Sequence, residues 1–327
     1  MDDHAKKWRF AMTIYEMLRA HKYEEALAEC EKVLKEDPDN AKVWGYKGVA
    51  LRNTGRPELA CPCYEKALEL TPEDPDMWLN RGMSIRFMNR KDSHLQAIES
   101  YQNAIKYDPD CIDALTNLGN VTSRIAFTSP DKEAADHFYK MSEENYKKAL
   151  SLAPDSPQLH CNMAVLYHKE GRLNDALSEA CASLEIDKTY QPGWFTKGSV
   201  LLDSGDLKEA LNALNEGIKL NPKTVTALKI LINIGVCQLL SGNLDKAADI
   251  FRDAAVQTPE EFNPMLPLMH ANAYYNLALT LFRQGKTKES KEAYKKYQEE
   301  EAKGELFYDF RKEATSPYAA VFEHYSE

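Results

Sequence analysis

The sequence has 327 residues, of which 43% are hydrophobic and 28% charged, and this composition is typical of a folded globular protein rather than a disordered one. The 41 basic and 51 acidic residues give a formal net charge of −10, which argues against a protein built mainly to hold nucleic-acid phosphates. The N-terminus lacks the pattern of a secretory signal, and the longest mostly apolar run, 227–240, is too short to span a bilayer, so no membrane insertion is predicted.

A pattern of about 34 residues recurs along the chain, which is the range in which repeat architectures are found. The second unit shows the recurring positions most fully, in this order: Trp44, Gly48, Ala60, Tyr64, Ala67 and Pro72. With the proline placed at position 32 of each unit, eight units begin near residues 7, 41, 75, 112, 157, 191, 228 and 271.

Each unit contains two apolar segments with helical periodicity, which are separated by a short polar break that often holds a glycine such as Gly55. This pattern predicts a first helix, a tight turn and a second helix, called helix A and helix B below. The large residues at positions 4 and 24 are expected to fill the space between helices, while small residues at positions 8, 20 and 27 allow close approach.

Three departures interrupt the period. The third unit has three extra residues around 91–95, and the fourth has eleven around 128–138. Because eleven residues make three helical turns, the second insertion is predicted to lengthen a helix, with Ser129 as N-cap and one long helix from Pro130 to about Leu152. Residues 260–270, with two prolines, are predicted to connect the seventh and eighth units.

The segment 304–327 follows the last unit and is rich in aromatic residues. Ser316 and Pro317 are typical of the start of a short helix. The segment is predicted to form C-terminal helices that either cap the exposed apolar face of the last unit or dock a partner.

The order of large, small and aromatic positions within each unit resembles the tetratricopeptide repeat (TPR), with the closest match in the second, third, sixth and seventh units. The first and eighth units depart most, as is expected where a terminal repeat faces water. The resemblance implies an all-α fold, a right-handed superhelical solenoid of helix-turn-helix repeats over residues 1–303.

No motif of catalysis or cofactor binding is present. The phosphate-binding, dinucleotide-binding, nucleophile-elbow and zinc-protease patterns are all missing from the sequence. His160 and His168 lie two helical turns apart, too far to bind one metal ion, and core packing is predicted for His160. Seven scattered cysteines show neither a disulfide framework nor zinc spacing, which favours a reducing cytoplasm. The protein is therefore expected to be no enzyme and to need no metal or cofactor.

The resemblance also implies that positions 2, 5, 6, 9, 12 and 13 of each helix A line the concave groove. Asparagine recurs there, at position 6 of five units and at position 9 of one: Asn80, Asn117, Asn120, Asn162, Asn233 and Asn276. A column of amides can bind the N–H and C=O groups of an extended peptide, as similar TPR proteins do. The alternative is that these amides bond neighbouring helices or water and descend from one duplicated repeat.

The other groove positions divide the array into a basic and an apolar half. The basic half contains Arg52, Arg86, Arg124, His168 and Lys169. The apolar half contains Phe195, Leu202, Ile232, Val236, Leu239, Leu240, Tyr275, Leu279 and Phe282. A ligand with an acidic stretch and an apolar anchor would match both halves. The basic half could equally be a solvated face, and the apolar half could be closed by the chain's own tail.

These observations predict a non-enzymatic protein-interaction scaffold that binds an extended peptide or partner segment in its groove. The alternatives are a peptide-responsive regulator and a regulatory or assembly subunit of an enzyme complex. Neither nucleic acid nor membrane is expected as a partner. The pattern by which chaperone-binding TPR proteins hold a C-terminal carboxylate is missing from every set of three consecutive units, which disfavours that ligand.

Overall fold

The computed structural model describes residues 12–88, 93–260 and 266–304, and within them the chain forms sixteen helices and no strand. The predicted all-α class is therefore confirmed for these ranges. The chain divides into two compact units, Met1–Pro154 and Asp155–Glu327. The predicted C-terminal helices beyond residue 304 lie outside the described residues.

The first unit contains four helical hairpins. From the second helix onward each helix packs against the next one along the chain, and Ile14 of the first helix shares a buried cluster with Leu27 of the second. Its helices are α1 over 12–19, α2 Tyr23–Glu36, α3 Ala41–Asn53, α4 Pro57–Leu70, α5 Pro75–Phe87, α6 Ser93–Tyr107, α7 Ile112–Thr128 and α8 Lys132–Leu152. The odd-numbered helices are the A helices, and α3, α5 and α7 also contact one another directly.

The second unit repeats this arrangement with another four hairpins. Its helices are α9 Pro157–Lys169, α10 Leu173–Ile186, α11 Gln191–Asp203, α12 Leu207–Leu220, α13 Val225–Leu240, α14 Leu244–Ala254, α15 Leu266–Arg283 and α16 Thr287–Gly304. The predicted connection over 260–270 needs correction, because α15 already begins at Leu266; residues 261–265 lie outside the described part.

A glycine of helix A meets a tyrosine ring of helix B in three successive hairpins of the first unit. The pairs are Gly48 with Tyr64, Gly82 with Tyr101, and Gly119 with Tyr146. A Cβ atom added at Gly82 would lie only 2.7 Å from the ring of Tyr101, which is fully buried. The glycine is needed here because the two helices approach too closely for any side chain. This contact explains why glycine and an aromatic residue recur together at positions 8 and 24.

Serine replaces the usual alanine at position 20 of two units, and it makes the same hydrogen bond in both. The hydroxyl of Ser142 donates to the carbonyl of Gly119 at 2.8 Å, and that of Ser290 donates to the carbonyl of Ala278 at 2.8 Å. Both serines are buried. The substitution therefore keeps the small volume that the position requires and adds a bond between helices A and B.

The eleven-residue insertion lengthens both helices of its hairpin rather than one. Helix α7 has 17 residues and α8 has 21, whereas α3 and α5 have 13 and α4 has 14. The predicted cap at Ser129 is wrong. Asp131 is the N-cap of α8, and its carboxylate accepts a hydrogen bond from the backbone N–H of Glu133 at 3.0 Å. A carboxylate at this position also interacts favourably with the helix dipole.

Glycine with positive φ ends helix A in five hairpins, at Gly55, Gly171, Gly205, Gly242 and Gly285. The first hairpin has His21 at the corresponding position, with φ of 57°. Because a side chain disfavours this conformation, the first turn is less favourable than the glycine turns. No helix of the described residues is both long enough and apolar enough to cross a membrane.

All seven cysteines are free thiols, and five of them are buried. Burial raises the pKa of the Cys30 thiol to about 12 and that of Cys237 to about 11, so both stay protonated at pH 8. We expect both to react much more slowly than the half-buried Cys181 with a thiol reagent at that pH. Mass spectrometry of the native protein after brief alkylation measures this order. Labelling of Cys30 as fast as Cys181 would contradict it, and unfolded protein, in which all seven should react, is the control.

Candidate functional site

The A helices of the first unit form a continuous surface, because α3, α5 and α7 pack side by side. We call it the A-helix surface of the first unit and define it by the predicted residues that lie on it: Arg52, Asn80, Arg86, Asn117, Asn120 and Arg124. All six side chains are half-buried. Arg52 and Arg86 lie in the last turns of their helices, where positive charge is favourable.

Arg52 joins the second hairpin to the third. Its guanidinium donates to Asn80 Oδ1 at 3.1 Å and contacts the thioether sulfur of Met83 at 3.5 Å. The amide nitrogen of Asn80 donates to the carbonyl of Asp76, one turn earlier in α5, at 2.8 Å. The asparagine is thus held between the arginine of the preceding helix and the backbone of its own.

The same arrangement recurs one hairpin further along the chain. Arg86 donates to Asn117 Oδ1 at 3.1 Å, and Asn117 Nδ2 donates to the carbonyl of Asp113 at 2.8 Å. An amide has two N–H donors and an oxygen with two lone pairs. Each asparagine uses one donor and one lone pair in these bonds, so the other donor and the other lone pair can still bind a ligand.

Buried tyrosine rings lie beneath this surface. Burial raises the pKa of Tyr101 to about 12, against the opposing effect of the Arg86 and Arg52 charges. Burial also raises the pKa of Tyr64, again opposed by Arg52. The phenols therefore stay neutral. Both guanidinium groups lie close enough to Tyr101 for their charges to lower its pKa. The hydroxyl of Tyr101 has no hydrogen-bond partner among the described residues.

The opposite edge of this surface, at the start of the A helices, is acidic. The pKa of Asp76 is raised by partial desolvation and by the neighbouring carboxylates of Asp74 and Asp108. The surface is therefore polarised, with carboxylates at the N-terminal ends of the helices and arginines at the C-terminal ends. Asn120 lies between these edges, and its Oδ1 accepts a hydrogen bond from the Tyr146 hydroxyl at 2.7 Å.

The three predicted asparagines of the second unit differ from one another in their surroundings. Asn233 is half-buried and donates to the Ser199 hydroxyl of the preceding hairpin at 2.9 Å. Asn162 is half-buried, and its amide nitrogen has no partner among the described residues. Asn276 is only 1% exposed and donates to the carbonyl of Asn272 at 2.9 Å, so it lies inside the unit rather than on its surface.

The apolar residues predicted to line the second unit are also divided between its interior and its surface. Tyr275 is 7% exposed and packs edge-on against Tyr297, with ring centroids 5.4 Å apart. Phe195 is half-buried, with the Lys229 ammonium 5.9 Å from its ring centroid. Phe282 is 44% exposed. Of these three, Tyr275 belongs to the core and Phe282 presents the most surface.

The basic residues predicted on α9 are partly neutralised. His168 Nε2 lies 2.6 Å from the Asp203 carboxylate on α11, and Lys169 beside it is half-buried. The predicted core position of His160 is wrong, because the residue is half-buried with its Nδ1 2.7 Å from the Glu179 carboxylate. Among the described residues, no group of three or more histidine, cysteine, aspartate or glutamate side chains could hold a metal ion.

The sequence reasoning missed the bond between hairpins, in which arginine at position 12 of one unit meets asparagine at position 6 of the next. A signal for it was present, since Arg52 with Asn80 and Arg86 with Asn117 repeat the same pair of positions in consecutive units. It also missed Ser199 and Asp203, which bond to predicted residues in the second unit.

Comparison with known families decides the assignment. Residues 9–149 match the family described as "Psidin, N-terminal TPR repeats region", and residues 145–178, 195–262 and 271–303 match three families described as tetratricopeptide repeat. The chain is a tetratricopeptide-repeat protein. This assignment accounts for the repeated glycine–tyrosine contacts and for the regular succession of A and B helices.

Curated relatives share the repeats but are much longer proteins. The chain is 24% identical over 142 residues to Hsp70-Hsp90 organizing protein 3 of Arabidopsis thaliana, covering 39% of this chain and 25% of that protein. It is 26% identical over 258 residues to Protein O-mannosyl-transferase TMTC3 of Homo sapiens, covering 75% of this chain and 26% of that protein. The matched parts thus make up only about a quarter of these relatives.

Solved structures show the same fold at low sequence identity. A tetratricopeptide repeat protein from Parabacteroides merdae ATCC 43184 superposes with a TM-score of 0.63 at 14% identity, covering 84% of this chain and 98% of that one. The APC/C hetero-tetramer Cut9-Hcn1 gives a TM-score of 0.60 at 16% identity, covering 94% of this chain and 55% of that one. Both likenesses concern the fold alone.

Proposed function

We propose that this TPR protein is a non-enzymatic scaffold that binds an extended peptide or partner segment, and that the A-helix surface of the first unit is its principal binding site. The partner we infer is a protein with an acidic stretch. An apolar anchor on such a partner would find exposed aromatic surface at Phe282 in the second unit. The seven free thiols support a reducing, cytoplasmic setting.

One observation carries this proposal. The amides of Asn80 and Asn117 occupy equivalent positions on neighbouring helices, and each keeps one donor and one lone pair for a ligand. Because the arginine of the preceding hairpin and a backbone carbonyl already hold each amide, its orientation is set before a peptide arrives. Such preorganisation lowers the entropic cost of binding.

The relatives support a binding role, since one of them is named as an organizing protein for Hsp70 and Hsp90. We do not extend that pair of partners to this chain, because the residue pattern that holds a chaperone's C-terminal carboxylate is missing from its repeats. A role as a regulatory or assembly subunit of an enzyme complex is compatible with the same surface, and the transferase named among the relatives matches over only 26% of its length.

The test uses peptides selected from a random display library against the intact protein. We expect the double variant Asn80→Ala/Asn117→Ala to bind a selected peptide about fivefold to a hundredfold more weakly, since each lost hydrogen bond contributes roughly 0.5–1.5 kcal/mol. Isothermal titration calorimetry measures the change. Its thermal unfolding should stay close to that of the parent protein, because both side chains are half-buried and no core volume is removed.

The matched control is Asn103→Ala. Asn103 is half-buried on α6, and its amide donates to a backbone carbonyl one turn earlier at 2.9 Å, as that of Asn80 does. We expect this variant to bind the selected peptide like the parent. If the parent, the double variant and the control variant all bind the peptide equally, the A-helix surface of the first unit is not its binding site.

A further inference from the structure

Arg52 is half-buried on the A-helix surface of the first unit, and among the described residues it forms hydrogen bonds with neutral groups only. Its Nη1 donates to Asn80 Oδ1 at 3.1 Å and contacts the thioether sulfur of Met83 at 3.5 Å. Four other arginines of the chain form an ion pair with a carboxylate: Arg56, Arg81, Arg172 and Arg252. A carboxylate is a stronger acceptor for a guanidinium than an amide, because both partners are charged. Arg52 therefore lacks a charged partner within the described part of the chain.

One edge of the Arg52 guanidinium is not used by the described residues. A guanidinium carries N–H donors on all three nitrogens in a rigid planar fork, and both contacts of Arg52 involve Nη1. The N–H groups on Nε and Nη2 are parallel and match the two oxygens of one carboxylate. Arg52 can therefore bind a carboxylate through two hydrogen bonds while it keeps its bond to Asn80.

The position of this guanidinium is fixed by its neighbours before any ligand binds. Asn80 Oδ1 accepts from Nη1, and the Asn80 amide nitrogen donates to the carbonyl of Asp76 at 2.8 Å, which orients the amide. The Met83 sulfur contacts the same nitrogen of Arg52. An arginine side chain loses entropy when a ligand immobilises it, and this loss is smaller for a side chain that is already held. The unused edge is therefore preorganised for a ligand.

The groups around Arg52 do not neutralise its charge. This charge opposes the rise in pKa that burial causes in Tyr64 and Tyr101, so the guanidinium lies near both phenols. Both phenols are neutral at pH 7, because burial raises the pKa of each. Arg52 lies in the last turn of α3, whereas the carboxylate of Asp76 lies in the first turn of α5. An acidic group is therefore attracted to the C-terminal edge of the surface, where Arg52 lies.

The chemistry of this position favours a carboxylate over a phosphate. One guanidinium balances the single charge of a carboxylate, whereas a phosphorylated side chain carries about two charges at pH 7 and is usually bound by clusters of arginine. A carboxylate on a side chain also leaves the backbone N–H and C=O groups of an extended segment available to the asparagine amides. Aspartate or glutamate within the bound segment thus meets both requirements.

We propose that Arg52 selects one aspartate or glutamate side chain of the segment bound to the A-helix surface of the first unit, and that Nε and Nη2 hold its carboxylate through two hydrogen bonds. This inference rests on the proposed function and adds to it the residue that determines specificity and the ligand group that it recognises. Asn80 positions the guanidinium, in addition to binding the ligand backbone.

The first experiment selects peptides from a random display library against the intact parent protein and, separately, against Arg52→Gln. We expect the parent to enrich peptides with aspartate or glutamate at one fixed position, and the variant to show no such enrichment. Glutamine keeps an N–H donor for Asn80, so the variant should fold, and circular dichroism checks this. Acidic residues enriched equally by both proteins, or by neither, would overturn the proposal.

Calorimetry then measures the preference with one peptide selected by the parent. It is compared with a counterpart that has the matching amide, glutamine or asparagine, in place of the acidic side chain, and both peptides have an amidated C-terminus. We expect the parent to bind the acidic peptide at least about tenfold more tightly than its counterpart, and Arg52→Gln to bind the two about equally. A preference that disappears once the C-terminus is amidated would assign binding to the end of the peptide and overturn the proposal.

Two further variants connect the preference to the guanidinium. Arg52→Lys should keep only part of it, because an ammonium group has charge but no planar fork, and this variant decides the matter if the glutamine variant does not fold. The control is Arg56→Gln, which alters an arginine paired with Glu24 and should keep the whole preference. A preference as large in the Arg52 variants as in the parent would overturn the proposal.

The asparagine variants separate the failure of this inference from that of the proposed function. A selected peptide that binds more weakly to Asn80→Ala/Asn117→Ala, but shows no preference for an acidic residue, would leave the proposed function standing and remove this inference alone. Equal binding to the parent and to the double asparagine variant would count against the proposed function, whatever the effect of Arg52→Gln.

Discussion

Replacing Tyr101 with alanine is expected to lower the free energy of unfolding by about 3–5 kcal/mol, as is typical for removal of a large buried aromatic side chain. The ring is fully buried and lies in van der Waals contact with the backbone of α5 at Gly82. Its loss leaves a cavity that two closely packed helices cannot readily close. Urea unfolding followed by circular dichroism measures the effect, and Leu95→Ala, at a 64% exposed position of the same helix, is the control.

Substitution of Gly82, the glycine in contact with Tyr101, gives a more specific test. Its effect on stability should reverse in sign once the tyrosine ring has been removed. In the parent protein, Gly82→Ala places a Cβ atom 2.7 Å from the ring of Tyr101 and should destabilise by about 1–3 kcal/mol through overpacking. In the Tyr101→Ala background the clash is gone. The same change should then stabilise by roughly 0.5–1 kcal/mol, because alanine favours a helix more than glycine does. Equal effects in both backgrounds would show that the ring does not set the requirement for glycine.

Reversing the charge of both arginines, with Arg52→Glu/Arg86→Glu, is expected to weaken binding of an acidic peptide selected against the intact protein by about 10²–10⁴-fold. A hydrogen bond to a charged group contributes about 1.5–3 kcal/mol, two such bonds are lost, and repulsion between carboxylates replaces them. Much of the loss in affinity should come from a lower association rate constant. This rate constant should no longer fall as salt is added, because the charge that steers the peptide has been inverted. Surface plasmon resonance at several salt concentrations measures both rates.

A charge swap is the control for this prediction. The same peptide with lysine in place of each acidic residue should bind the double glutamate variant more tightly than it binds the parent protein. Recovery of this kind requires that the variant is folded and that the same two positions face the ligand. If the double reversal leaves binding of the acidic peptide unchanged, the site that binds acidic groups lies elsewhere.

The repeat fold could be predicted because its packing requirement recurs at fixed positions. Glycine at position 8 meets a large residue at position 24 in several hairpins, and Gly82 with Tyr101 follows this pattern. Local capping was less predictable. Ser129 and Asp131 are both good N-cap residues, and the choice between them depends on where the lengthened hairpin turns, which also divides the insertion between α7 and α8.

The site residues could be predicted only as positions on a helix. Asn80 and Asn276 share position 6, yet one is half-buried on the surface and the other is 1% exposed. The difference comes from the helices packed around them, and helical periodicity within one unit does not contain that information. The bond from Arg52 to Asn80 likewise depends on the distance between hairpins. A repeated pair of residue types in successive units indicates such a bond, but a single unit does not.

The turn between helices A and B is the place where this chain has gained length. Five units keep a glycine turn there, with φ between 75° and 86°, and both insertions within hairpins occur in units that lack it. The extra residues of the fourth hairpin lengthen α7 and α8, and α7 still packs against α5 and α6 of the preceding hairpin. During evolution this tip can therefore acquire new residues, while the residues packed between helices must keep the sizes that the packing requires. The loop at Ser129 and Pro130 is for the same reason a suitable place to insert a tag or a fluorescent label.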